Sequence, residues 1–349
     1  MIALMDETLV GDRSESDTET VRVPQDLIVA GASAGGVEAL REFVRGLPPD
    51  LDAAVAVVLH MPPHGASALP AILNRTGPLP AVAAADGMPL RSGVVYVAVP
   101  DRHLVVTSTH LHLSRGPTEN GHRPGVDALF RSAAMSWAPR VACVVLSGTL
   151  DDGTAGAALV TNRGGVVAVQ EPHDALYRGM PQNVLDSVAV DLVLPARDLG
   201  KAVADRLRTR HRAPDPPDAS ELQRLEASID AGAVPGNDGV AAMARPSGLT
   251  CPDCNGVLYV LEDSGRYRCR VGHAWTAEAL LIQQKVEVDK ALWTALRALE
   301  EKQRLAERMT EDAARHGDDR LSQRYRDQGA EQAAAIETLR KLLVDRSTN

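Results

Sequence analysis

The sequence predicts an α/β protein: a doubly wound, mainly parallel, Rossmann-like sheet, followed by a small zinc-ribbon-like module and a helical C-terminal hairpin. Three observations lead there. Between residues 26 and 208, continuous apolar runs alternate with amphipathic stretches of helical period; unbroken Val, Leu, Ile and Ala runs mark strands covered on both faces. Three cysteines and a histidine then cluster at 251–273. Residues 276–346 lack proline and hold only Gly317 and Gly329, with Leu, Ala, Glu, Gln and Arg dominating, as in long helices.

In order, DLIVAG (26–31) reads as a buried strand, and Val37, Leu40, Phe43, Val44 and Leu47 recur at helical spacing after it. AAVAVVLH (53–60) is a second buried strand, and 66–74 a helix. VVYVAVP (94–100), LVVTS (104–108) and LHLS (111–114) read as short strands, and GVDALFRSAAMSW (125–137) as a helix ended by Pro139. VACVVLS (141–147) is a third buried strand, with Cys143 in the core, followed by a helix at 153–163. GGVVAVQ (164–170) is a strand, PQNVLDS (181–187) opens a helix on a tolerated proline, and VDLVLP (190–195) precedes a last helix to about 208. Alternating strand and helix of this kind winds into a parallel sheet.

The expected organisation is a flexible acidic tail at 1–25, the α/β unit at 26–208, and a linker at 209–248 with one short helix at 218–230. The Cys/His module follows at 249–275 and the helical tail at 276–349, bent at Gly317. With 349 residues, more than one unit is expected. A net charge of −9 argues against nucleic acid as the main partner. No apolar run reaches the ~18 residues of a membrane span, and the N-terminus lacks the basic start and apolar stretch of a secretory signal. Cysteines clustered with a histidine fit a metal site in a reducing compartment better than a disulfide framework, so a cytoplasmic location is expected.

GASAGG (31–36) joins a strand to a helix. Such a turn leaves helix N-terminal N–H groups free to receive negative charge. A dinucleotide loop would need Gly where Ser33 stands and an acid at the end of the next strand, where His60 stands. Ser33 could simply cap the helix, His60 could be a hydrogen-bonded strand-end histidine, and Asp152 could cap the helix after Gly153. Yet all three follow parallel strands, at the edge where α/β sheets bind ligands. Hydroxyl, imidazole and carboxylate gathered there point to a nucleophilic triad for ester or amide hydrolysis.

IVAGASAGGVEAL (28–40), LHMP (59–62), ENGHRPGVDALF (119–130), LSGTLDDGTAG (146–156) and GMPQNVLD (179–186) resemble the catalytic domain of the chemotaxis protein-glutamate methylesterases, the CheB family. The resemblance covers roughly residues 26–208. It implies removal of methyl groups from glutamate γ-methyl esters on chemoreceptors, with glutamine deamidation in many members, and no cofactor for catalysis. It matches the catalytic serine to Ser33, the histidine to His60 and the aspartate to Asp152, and it implies that 122–127 and 179–181 rim the cleft; Pro124 and Pro181 equally suit helix starts. Ala34 stands where the family often has threonine, and Gly148-Thr149-Leu150 where it usually has a methionine. With about 25 residues before the first strand, control by an N-terminal receiver domain is not expected in cis, so a separate receiver or methyltransferase protein is a candidate partner. His64, His103 and His173 read as loop residues without a role, and His110 and His112 as solvent-facing.

Cys251 and Cys254, then Cys269 and His273, give Cys-x2-Cys, fourteen residues, Cys-x3-His. Three thiolates and an imidazole favour tetrahedral zinc in a closed, structural site, with free thiols or a redox pair as alternatives. VLYVLEDSGRYRC between the pairs reads as a hairpin turning at Asp263-Ser264-Gly265. Similar tails accompany some receiver-less relatives, which implies a docking role. The apolar stripes Leu292, Leu296, Leu299 and Ile336, Leu339, Leu343 fit each other, a receptor helix or a second copy of the chain. Against the hydrolase stand two other functions: an adaptor binding through the module and tail with little catalysis, and a small-molecule esterase or amidase.

Overall fold

The computed structural model describes residues 22–209, 216–236, 239–261 and 265–347. The acidic tail lies almost wholly outside them, as do Asp263 and Ser264 of the expected hairpin turn.

The α/β half begins β1 (Asp26–Ala32), α1 (Gly36–Arg45), β2 (Ala53–Leu59), α2 (Leu69–Thr76), β3 (Ala81–Ala83) and β4 (Val95–Val97). A separate antiparallel hairpin, β5 (His103–Val106) and β6 (Leu111–Ser114), follows. Then come α3 (Val126–Trp137), β7 (Val141–Val145), α4 (Thr154–Asn162), β8 (Val166–Gln170), α5 (Gly179–Ser187), β9 (Leu192–Leu194) and α6 (Ala196–Arg208). Seven strands pair in the order β3-β4-β2-β1-β7-β8-β9, every pair parallel. The chain winds outward from β1 to one side, then returns to β7 on the other. β1 therefore lies at the switch point, where such sheets open a crevice beyond their carboxyl ends.

Alternation along each strand builds two cores. Ile28, Ala30, Val55 and Val57 meet Leu40, Phe43 and Val44 of α1, Leu73 of α2 and Leu199 and Val203 of α6. Leu27, Val29, Ala54 and Val58 meet Leu129, Phe130 and Trp137 of α3, Val160 of α4 and Val184 of α5. Both faces are covered, which is why β1 and β2 need no polar alternation and why small Ala residues recur between large ones. Each fully buried Leu, Val or Phe adds roughly 1.5–3 kcal/mol. β3, only three residues long and closing one edge of the sheet, carries too little periodicity to be read from sequence.

The stretch read as a linker holds α7 (Glu221–Asp230) and α8 (Gly239–Met243). Ser220 caps α7, accepting from the Gln223 N–H while the Gln223 side chain accepts from the Ser220 N–H. The module's antiparallel sheet is β10 (Arg245–Thr250), β11 (Val257–Leu261), β12 (Arg266–Cys269) and β13 (Ala274–Thr276), paired in that order. It starts at Arg245, inside the expected linker, because β10 is needed to cover β11. Its core is small: Cys251, Leu258, Cys269 and Trp275, closed by Ala279 and Leu280. Those last two belong to α9 (Ala277–Arg315), which turns at Gly317, in the left-handed region at φ +73°, into α10 (Asp319–Ser347). Leu296, Ile336 and Leu343 are buried between the two helices, flanked by Leu292, Leu299 and Leu339, as the stripes predict.

Candidate functional site

Ser33 follows β1 directly. Its N–H donates to the Ser147 carbonyl (2.9 Å), fastening the turn to the end of β7. Gly35 sits at φ +70°, and a Cβ there would come within 2.7 Å of Ser147 Oγ, so glycine is required. His60 follows β2, its N–H donating to the Ala32 carbonyl (3.1 Å). Asp152 comes after β7 at the end of a tight loop, 2% exposed.

The three side chains form one chain of contacts. His60 Nδ1 lies 3.1 Å from Ser33 Oγ, and His60 Nε2 lies 2.6 Å from Asp152 Oδ2. The Nε2–H donates a hydrogen bond to the Asp152 carboxylate, which leaves the Nδ1 lone pair facing the serine hydroxyl. The ring nitrogens are thus exchanged relative to the common serine-protease arrangement, while the roles are the same. Asp152 also accepts the Val126 N–H (2.8 Å) and the Asp127 N–H (2.9 Å) at the start of α3. Burial works to raise its pKa, but the His60 contact and these two N–H groups outweigh burial and hold it well below the usual carboxylate range.

Two neighbours were not assigned from sequence. The His122 ring stacks on His60, centroids 4.1 Å apart and planes 12° from parallel. Burial, then the adjacent His60 charge, lowers the His122 pKa to about 4, so His60 rests against a neutral ring at neutral pH. Asp127 lies behind Asp152, accepting the Gly156 N–H at 2.7 Å. Burial first, then the Asp152 charge, pushes it up to about 8. The HRPGVD segment was expected at the rim, but nothing in its spacing distinguishes a stacked imidazole from a loop residue.

The loop from β7 to α4 completes the cleft. A Cβ on Gly148 would lie 3.0 Å from Ser33 Cβ and 2.0 Å from Met180 Sδ, so Gly148 is pressed between nucleophile and α5. Leu150 has φ +61°, and Asn183 Nδ2 donates to its carbonyl (3.0 Å). His103 corrects the sequence reading: it opens β5, fully buried, its Nδ1 accepting the Gly125 N–H (3.1 Å) and its Nε2 donating to the Pro117 carbonyl (2.9 Å). His64, His110 and His173 are exposed, while half-buried His112 pairs with Asp86 at 2.8 Å.

The structure also gathers Cys251, Cys254, Cys269 and His273, with all four donor atoms within 4.8 Å of one another. Cys254 and Cys269 Sγ are 3.6 Å apart, and His273 Nδ1 is 3.5 Å from Cys269 Sγ and 3.8 Å from Cys251 Sγ. Zinc–sulfur bonds of about 2.3 Å and zinc–nitrogen bonds of about 2.0 Å in a tetrahedron give edges of this size. The donor set fits such an ion.

Between module and α/β half lies a buried ionic cluster. Arg131 of α3 donates to Glu119 (2.8 Å) and Asp230 (2.6 Å), and Arg268 of β12 donates to Glu119 (2.8 Å) and Glu226 (3.1 Å). Arg266, mostly buried, reaches Glu226 at 2.5 Å, so three cations face three carboxylates. No local sequence pattern marks any of these six residues as buried.

Residues 28–203 match the family model for CheB methylesterase. Over 191 residues the chain is 37% identical to the protein-glutamate methylesterase/protein-glutamine glutaminase 2 of Caulobacter vibrioides, covering 53% of this chain and 55% of that one. Over 185 residues it is 42% identical to the corresponding Nocardioides enzyme, covering 52% and 50%. The chain thus spans about half the length of the curated relatives it matches. The crystal structure of the Thermotoga maritima CheB methylesterase catalytic domain superposes with a TM-score of 0.51 at 32% identity, over 52% of this chain and 99% of that domain. A parallel sheet with serine, histidine and aspartate at its switch point, carried on a segment that this model, these sequences and this domain all match, makes the chain a member of the CheB methylesterase family.

Proposed function

We propose that this protein is a serine hydrolase that demethylates glutamate γ-methyl esters, and deamidates glutamine, on chemoreceptors or related signalling proteins. The observation that carries the reading is the unbroken Ser33–His60–Asp152 contact chain at the sheet edge. Ser33 Oγ attacks the ester carbonyl carbon while His60 Nδ1 takes its proton. Negative charge then develops on the carbonyl oxygen. The N–H groups of Ala34 and Thr149, which make no other hydrogen bond among the described residues, are the donors suited to receive it. As the tetrahedral intermediate collapses, His60 returns the proton to the departing oxygen and methanol leaves. Water, deprotonated by His60, attacks the acyl-enzyme; the glutamate carboxylate departs and Ser33 regains its proton. With glutamine the leaving group is ammonia. Asp152 stays ionised throughout and stabilises the imidazolium.

In this scheme the module supplies no reacting group. Cys251, Cys254, Cys269 and His273 would hold one zinc ion with no open position for substrate, and the ion would supply folding free energy to a domain with a small core. A cytoplasmic site of action suits reduced thiolates and a receptor's signalling helices; among the described residues no helix is long and apolar enough to cross a membrane. A separate receiver or methyltransferase protein is the proposed regulatory partner.

The test is methanol release from methylated receptor membranes. Ser33→Ala should lower kcat by on the order of 10^3-fold or more. Undiminished release by that variant would remove the triad and leave docking through module and tail as the function.

A further inference from the structure

The loop carrying Asp152 is gripped from outside the α/β half. Leu150 packs against the module core that contains Cys251 and Cys269, two of the four metal-binding candidates. Thr276 Oγ1 donates to Asp151 Oδ1 at 2.9 Å, while the same hydroxyl caps α9 by accepting the Ala279 N–H. Asn183, which holds the Leu150 carbonyl, also reaches Glu278 of α9 at 3.4 Å. The grip extends to the segment that carries His122. The Thr276 N–H donates to Asn120 Oδ1, the Asn120 N–H donates to the Ala274 carbonyl, and Thr118 Oγ1 donates to Asp253 inside the Cys251–Cys254 knuckle. Both loops that bear on His60 are therefore fastened to the module.

Leu150 needs such support. A left-handed backbone at a bulky residue persists only where its surroundings hold it. Two residues earlier, Gly148 touches Ser33; two residues later, Asp152 binds His60. The turn is thus the common mount of nucleophile contact and acid.

We propose that the Cys3His module is a working part of the catalytic centre, holding the Gly148–Asp152 turn in place through Leu150 and through Thr276, a positioning residue for Asp152. This rests on the Ser33–His60–Asp152 reading. Filling the metal site shapes the wall on which Leu150 sits, so loss of the ion loosens the turn without removing any catalytic group.

The experiment uses the full chain and two readouts. The first is the rate of covalent labelling of Ser33 by a fluorophosphonate, alongside kcat and KM for methyl ester hydrolysis. The second is amide hydrogen exchange of residues 148–152. Thr276→Val should slow labelling and kcat by about tenfold with KM changed less than about twofold, and exchange of the turn should quicken. Thr276→Ser should restore all three. Cys254→Ser, with zinc content measured, should lose metal and match or exceed the Thr276→Val effect. Wild-type labelling and wild-type exchange in Thr276→Val would overturn the proposal even if Cys254→Ser fails to fold. A wild type whose Ser33 resists labelling would instead sink the triad reading, and the exchange data would then decide the mechanical claim alone.

Discussion

The two halves of the molecule are held together by opposite means. The α/β half buries apolar side chains on both faces of seven strands and reserves polar groups for one edge. The C-terminal module buries few apolar residues, two of which are themselves metal-ligand candidates, and meets its neighbour through Arg–carboxylate contacts. The contrast shows where each half is vulnerable. Large cores fail one side chain at a time, whereas a small domain fails when its ion or its partner charges are lost.

Metal removal should separate the halves most sharply. If the Cys3His cluster holds zinc as proposed, chelation withdraws on the order of 10 kcal/mol from the module. Hydrogen exchange should then rise throughout β10–β13 while β1 and β7 stay protected; equal protection before and after would show a module that stands without an ion. The next largest effect is expected at the junction. Arg131→Ala leaves Glu119 and Asp230 buried with fewer cations, at a cost of about 3–5 kcal/mol. Urea denaturation checks it, and a change under about 1 kcal/mol would mean the cluster is far better hydrated than its burial implies.

A smaller effect is tied to pH. Asp127, raised from 3.8 to about 8, keeps a proton in the folded state that the unfolded chain releases. Its contribution is full below pH 3.8 and is lost as pH rises through about 8. His122, lowered from 6.5 to about 4, acts in the other direction: its share is full above 6.5 and is lost as pH falls toward 4. Between pH 6.5 and 8 Asp127 therefore contributes a fall in stability, alongside Glu119, whose carboxyl pKa burial also raises. Asp127→Asn, which keeps an acceptor for Gly156, should flatten it by up to about 1.4 kcal/mol per pH unit. Identical slopes in denaturation midpoints against pH would show that Asp127 is ionised. Smallest of all, Arg340→Ala on the helical hairpin removes an exposed contact to Glu300 and should cost no more than about 0.5 kcal/mol by thermal melting.

What the sequence discloses follows the same division. DLIVAG, AAVAVVLH and VACVVLS are strands because their apolar runs leave no other place for them, and the residue after a strand lands at the sheet edge whatever the rest of the fold does. Ser33 and His60 were therefore legible in position as well as type, and Asp152 nearly so. Cys-x2-Cys and the leucine stripes of α9 and α10 are equally local signals. By contrast, Thr276 meets Asp151 across 125 residues of chain, and no local pattern anticipates that. His103 was read as a loop residue because it stands just ahead of the apolar run LVVTS, yet both ring nitrogens are satisfied and it is buried. Glu119, Arg131, Glu226, Asp230 and Arg268 escaped because single charges signal solvent; only their mutual neutralisation lets them go inside.

That cluster bears on how the chain can be divided. The family match ends at residue 203, which suggests a natural place to cut. Asp230, Glu226 and Arg268 all lie beyond it, and Arg131 lies before it. A fragment ended there would carry a guanidinium sunk into α3 with Glu119 as its one remaining carboxylate from this set. The extension is then less an appendage than a keystone: residues 26–208 have the outline of a free-standing enzyme, but in this chain its interior charge is balanced by the part that would be thrown away.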